Sequence, residues 1–264
     1  MAYVASQPPM AVTSGFTQDA PFQPLSDCGV PNPFFYHQFA DDFDSSVLVA
    51  GTSTIYTLTK SGTGAAIVGQ AGLGGQALFT AGTTAGNASA QLPVAGFTVN
   101  NAPKKTFYVC RMQLATAVLT DSGISIIAGL IQTTTTPGTV TDGVFFKYTN
   151  GVLTFNSNVG SVNTAVTIPT AAYSTAIVGN TFFDLAFFSD RNGNLLAYVD
   201  TQLVGFVPQS NIGTTGNPQN AGAVARLTPT SLTAVNLTPM LATVQLGTTN
   251  MTMAADFHGV FQER

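Results

Sequence analysis

The sequence contains no tryptophan, one glutamate (Glu263) and two cysteines, and charged side chains make up only 8% of its 264 residues. Each scarcity removes a class of function. Eight Lys and Arg against twelve acidic residues leave a formal charge of −4. So few cations cannot neutralise the many phosphates on which nucleic-acid binding rests. Two cysteines cannot build a disulfide-dense scaffold. Cys28 sits in a proline-rich stretch and Cys110 in a candidate strand, with no CxxC spacing. Both read as reduced thiols, with a Cys28–Cys110 bridge as an alternative that nothing in the pattern favours. No apolar run reaches the roughly 18 residues of a spanning helix, and Met1–Pro9 has neither the basic nor the apolar region of a signal peptide. The expectation is synthesis and folding in a cytoplasm, with no membrane partner.

What is present is apolar and small. Hydrophobic residues reach 45%, accompanied by 38 threonines and 26 glycines. Residues 1–40 stand apart, holding six of the fourteen prolines and showing neither helical nor strand periodicity. Proline fixes φ and pushes its predecessor toward extended backbone, so this segment is expected to be an extended arm. Its aromatics, Phe16, Phe22, Phe34, Phe35, Tyr36 and Phe39, are too many to leave in water. The arm lies either on its own domain or on a neighbouring subunit.

From residue 41 to 264 short β-prone runs follow one another: 55–58, 76–80, 88–92, 105–114, 123–131, 142–148, 152–155, 182–188, 195–199, 241–246 and 251–261. Run 105–114 alternates as a strand with one buried face, and 123–131 is expected to be its partner. Asn150-Gly151 and Asn192-Gly193 are hairpin signals, because a type I′ turn needs positive φ at both central residues. The final run is expected to pair with 241–246 through Thr248-Thr249-Asn250. No segment sustains a helical apolar stripe, so almost no helix is predicted. Loops 133–141 and 208–230 are rich in Thr, Gly, Asn and Pro, and the second is long enough that it is expected to be functional or locally disordered. The fold class is all-β: an antiparallel two-sheet sandwich of jelly-roll type with an N-terminal arm.

The run Thr181–Gly205, in which aromatic Phe182 and Phe183 open a strand and Val199-Asp200-Thr201 makes a turn, resembles the hairpin of concanavalin-like and laminin-G-like sandwiches. Met253–Phe261 resembles that fold's terminal strand and Phe39–Asp44 its first, so the resemblance spans roughly 40–264. Thr201 stands where glycine is common in the family. A sandwich of this composition with a Pro-rich arm is similar to virion structural proteins of tailed phages, above all capsid decoration or cement proteins. That resemblance implies a place on the capsid exterior, assembly in the host cytoplasm, contact with the major capsid protein, and a homodimer or homotrimer.

Hydrolases that share the sandwich place two carboxylates about the scissile bond, usually glutamates on one strand face. With Glu263 as the only glutamate and no Asp-x-Asp pair on a predicted inward strand, no enzyme is expected. Asp184 reads as an outward-facing strand residue, while Asp190 and Asp200 border turns. Asp41, Asp42 and Asp44 form the one carboxylate cluster, read as a solvated strand start rather than a cation site because the spacing of a known loop motif is missing. His37 and His258 lack a third metal ligand, and there is no nucleophile elbow for a triad. Gly62-Thr-Gly-Ala and Gly72-Leu-Gly-Gly lack the following Lys-Ser/Thr and helix of a phosphate loop. No cofactor or metal site is therefore expected. The interface candidates are Phe34, Phe35, Tyr36 and Phe39, since aromatics dominate interface energetics. The alternative is a lectin-like, glycan-binding module of a phage tail or fibre, in which Tyr148, Tyr173 or Tyr198 would supply the aromatic platform.

Overall fold

The computed structural model describes residues 36–43, 53–69, 75–83, 85–99, 104–190, 194–208, 235–245, 247 and 252–263. Among the described residues fifteen strands run in chain order: β1 (Tyr36–Asp41), β2 (Thr57–Ser61), β3 (Ala66–Gly69), β4 (Ala77–Thr80), β5 (Asn87–Gln91), β6 (Thr106–Leu114), β7 (Ile124–Ile131), β8 (Gly143–Thr149), β9 (Val152–Val159), β10 (Val162–Thr167), β11 (Phe182–Ser189), β12 (Leu195–Val199), β13 (Gln202–Val207), β14 (Thr238–Gln245) and β15 (Thr252–Glu263). The helical content of the described residues is two short 3-10 turns, Thr116–Leu119 and Thr170–Ala172.

The strands form two antiparallel sheets, as the sequence predicts. Sheet I has the order β13-β12-β11-β6-β15-β4-β3, with β1 pairing with β15 in line with β4. Sheet II has the order β10-β9-β8-β7-β14-β5-β2. The core lies between them. Tyr108, Cys110, Met112 and Leu114 of β6 and Phe183, Leu185 and Phe187 of β11 face Ile124, Ile126, Ala128 and Leu130 of β7 and Leu153 and Phe155 of β9. Rings bridge the two layers in a chain, Tyr108–Phe187 at 5.1 Å, Phe187–Phe155 at 5.8 Å and Phe155–Phe146 at 5.0 Å between centroids. Offset and tilted aromatic pairs at such spacings add to the gain from burial.

Two pairings differ from expectation. Strand β7 does not partner β6; it lies in sheet II between β8 and β14. Strand β15 does not form a hairpin with β14 but lies in sheet I between β6 and the collinear β4 and β1. In both cases the connection crosses from one layer to the other, and a short turn looks the same in sequence whether the chain returns to its own sheet or moves to the facing one. The Asn150-Gly151 hairpin forms, with β8 paired to β9 around Asn150 (φ 50°) and Gly151 (φ 74°); β11 pairs with β12 as expected, while Asn192-Gly193 between them lie outside the described residues.

The central strands are also buried on both faces rather than one. All eight residues of β7 and of β14 are buried. The outer face of sheet II carries Ile127, Ile131, Phe145, Met240, Ala242 and Val244, against which Val140 packs from the loop after β7. That loop is pinned by Asn158 Nδ2 donating to Val140 O (2.7 Å), and by Gln91, which donates to Gln132 O (2.9 Å) and accepts from Thr134 N (3.0 Å). On the outer face of sheet I, Phe107, Val109, Ala186, Phe188, Phe257 and Phe261 form a second apolar layer. Strands buried on both faces read as continuous apolar runs, which is how Ile124–Ile131 reads.

Candidate functional site

The outer face of sheet I changes character at Arg111. Along β6 the side chains at 107, 109 and 111 share this face, and the register sets Arg111 opposite Asp184 of β11 on one side and Phe257 of β15 on the other. A β-bulge between Ala255 and Phe257 inserts Asp256 into β15 at this level. Bulges re-aim side chains, and here Asp256 Oδ2 comes to 3.5 Å from Arg111 Nε. Arg111 and Asp256 remain 31% and 28% exposed, so the pair is reachable from solvent. The guanidinium also lies over the Phe182 ring, 5.7 Å from its centroid, a cation–π arrangement.

Asp184 is outward-facing, as predicted, yet largely buried. Its amide donates to Asp200 Oδ1 (2.8 Å), the Asp200 amide donates back to Asp184 O (2.9 Å), and Asp184 Oδ1 has no hydrogen-bond partner. Burial pushes its carboxyl up to about 6; Arg111 opposes the shift, and Asp200 and Asp256 add to it. Asp256 is raised by burial against the pull of Arg111. The turn that holds Asp200 is strained: Asp200 has φ 47° and Thr201 φ 96°, a region costly for a β-branched residue. A guanidinium, two carboxylates whose pKa values are raised by burial and an adjacent ring together form a set of donors and acceptors on this face.

The apolar layer beside this cluster emerges at the sheet edge. Leu196 and Tyr198 of β12 are half-buried, and their cross-strand partners Phe206 and Leu203 of β13 are 48% and 56% exposed.

The other sequence candidates are dispersed. Tyr36 lies in β1, and Phe39 of the same strand packs half-buried against the protein's own core, 5.8 Å from the Tyr56 ring. Phe34, Phe35, Asp44 and Cys28 lie outside the described residues. Asp41 is not a solvated strand start: register with His258 turns it inward, its Oδ1 accepts from Phe43 N (3.0 Å), and burial raises its carboxyl. The His37 ring lies tilted against Phe97, 4.5 Å between centroids, and His258 is fully buried. Asp190 closes the β11–β12 turn by accepting from Asn194 N and Nδ2. Tyr148 and Tyr173 form no platform, because both are buried with hydroxyls donating to Leu119 O (3.2 Å) and Gly151 O (2.7 Å). Tyr198 alone of the three reaches the outer face. Among the described residues no group of three His, Cys, Asp or Glu is placed to hold a metal ion, and no helix is long and apolar enough to cross a membrane.

Fold and site define an all-β sandwich of jelly-roll type with an ionic cluster on one outer sheet face. No protein-family model matches the chain, and no curated protein matches its sequence. Among solved structures it is similar to an endo-1,3-beta-glucanase from Streptomyces sioyaensis (12% identity, 88% of this chain and 98% of that one, TM-score 0.58). It is also similar to a protein of unknown function from Shewanella oneidensis (11% identity, 95% and 96%, TM-score 0.51). A third is a structure of botulinum neurotoxin type C, described with cell entry dependent on two ganglioside molecules (10% identity, 86% and 48%, TM-score 0.50). The chain spans about half of that last molecule. These likenesses share the sandwich fold.

Proposed function

We propose that this protein works by contact rather than by catalysis, as a virion structural protein of the capsid-decoration kind. The observation that supports the reading is the exposed apolar edge of sheet I, where Phe206 and Leu203 continue a buried aromatic layer out to solvent. Stable interfaces use aromatic anchors in patches poor in charge, and a sequence with only 8% charged residues suits such contacts. The partner would be the major capsid protein, with a second or third copy of the chain completing a symmetric unit on the outer shell. Antibody raised against the purified chain should label the shell of virions from its source culture in many copies per particle. Label confined to a tail tip, or particles without the chain, would refute the reading.

A second reading is favoured by the Arg111 cluster: recognition of a glycan at Asp184, Arg111 and Asp256, beside Phe182. Its fold neighbours include a glucanase and a ganglioside-dependent toxin. A glycan array should then give binding that Arg111→Ala abolishes. Cleavage of a β-1,3-glucan that is lost in Asp184→Asn would replace both readings with hydrolysis.

A further inference from the structure

One inward-facing row between the sheets concentrates titratable groups. The inward-facing cross-strand row Leu185–Cys110–His258–Asp41 runs over β11, β6, β15 and β1, and three of its four residues carry titratable groups. Rings enclose it. Tyr108 meets the His258 ring edge-on at 5.4 Å and Phe39 at 6.0 Å, Tyr56 lies nearly parallel to it at 6.4 Å, and Phe43 backs Tyr56 at 5.9 Å. The Tyr56 hydroxyl neighbours the Asp41 carboxylate, and the Tyr108 hydroxyl feels both Cys110 and Tyr56.

Cys, His and Asp in cross-strand sequence suggest a nucleophile triad, but the arrangement is inert. Burial pushes the Cys110 thiol up to about 12 and lowers His258 to about 3, the reverse of an activated pair. What distinguishes the place is unmet hydrogen bonding. Asp41 Oδ2, Tyr56 Oη, Tyr108 Oη and both ring nitrogens of His258 are buried with no partner in full hydrogen-bond geometry, although the Tyr56 hydroxyl sits beside the Asp41 carboxylate and the Tyr108 hydroxyl beside the Cys110 thiol. Native proteins leave few such atoms unpaired, and a neutral imidazole must offer one donor and one acceptor to something.

We propose that these five atoms line an internal hydration site that holds two ordered waters between β1, β15 and Tyr56. Water supplies both donors and acceptors, so it can satisfy carboxylate, hydroxyls and imidazole together. Two waters making about three bonds each cover five atoms. The site is independent of the reading given to the outer face of sheet I.

The test is a crystal structure of the full chain at a resolution that shows ordered water, together with NMR on the labelled protein. Two density peaks within hydrogen-bond distance of these atoms are expected, with nuclear Overhauser contacts from the His258 ring protons to long-lived water. His37→Gln separates the signals of the two histidines. Tyr108→Phe, which removes one oxygen from an otherwise unchanged ring, should lose or displace one peak, and His258→Leu should lose both if it folds. A dry void, or direct bonds from His258 to Tyr or Asp side chains with no water contact in solution, overturns the proposal.

Discussion

Replacing Asp184 by asparagine keeps the shape of the side chain and removes its charge. The folded-state pKa of about 6 lies above the ordinary 3.8, so between those values the folded chain binds more protons than the unfolded one. Stability therefore falls as pH rises from about 4 to about 6 and stays reduced above that. The full shift is worth about 3 kcal/mol, and discounting for partial exposure leaves about 2 kcal/mol. Asp184→Asn should thus be about 2 kcal/mol more stable than the parent at pH 7 and nearly equal to it at pH 4. His258 runs the other way. Its folded pKa is depressed from 6.5 to about 3, so the stability it contributes is full above pH 6.5 and declines toward pH 3. Between pH 7 and pH 4 that loss is about 3 kcal/mol, and in the parent the Asp184 gain partly hides it. Urea unfolding at pH 7, 5.5 and 4 measures both slopes: the variant should show the steeper acid loss. No stabilisation at pH 7, or the same gain at every pH, would refute the burial argument.

Other outcomes follow from single positions. Thr201→Gly should relieve the strained turn beside Asp200 and stabilise by about 1 kcal/mol, read as a higher Tm. Gly129→Ala should cost about 3 kcal/mol or block folding, because a Cβ there would overlap the Val144 carbonyl and the Phe145 backbone across the β7–β8 ladder. In a Cys28→Ser background the Cys110 thiol should not react with an exposed-thiol reagent until denaturant unfolds the chain. Removing residues 1–35 should leave the circular dichroism of the sandwich intact. Extending the deletion through 43 strips β1 from β15 and takes Phe39 and Phe43 out of the core, and should lower Tm by several degrees.

The legible parts of the fold were those written in local signals. Asn150-Gly151 marked a turn because its backbone needs positive φ, and the run Phe182–Phe188 with its partner Leu195–Val199 formed the pair that its β-prone residues and Asn-Gly turn implied. The assignment of β6 and β7, or of β14 and β15, to different sheets was not legible, since it depends on which layer a strand enters after a turn. The candidate site was half visible. Asp184 could be placed on an outward face from parity with Ala186 and Phe188, and the unusual threonine at 201 marked the strained turn next to it. Asp256 could not be found, because it meets Arg111 only through a bulge, and nothing in Ala254–Phe257 announces that one residue will be left over. Asp41 was misread because polar residues beside a strand start usually meet water, whereas pairing opposite His258 turns this one inward.

Antiparallel pairing of Tyr36 with Glu263 anchors the leader at one pole of sheet I, level with Thr106 at the start of β6. Arg111 lies five residues further along the same strand, about 17 Å away at the usual rise. The chain ahead of Tyr36 therefore joins the sandwich at the far end from the guanidinium and its acids. A fluorophore or fused domain attached directly ahead of Tyr36 would enter at that pole, and experiments on the distant cluster could be run with such tags in place.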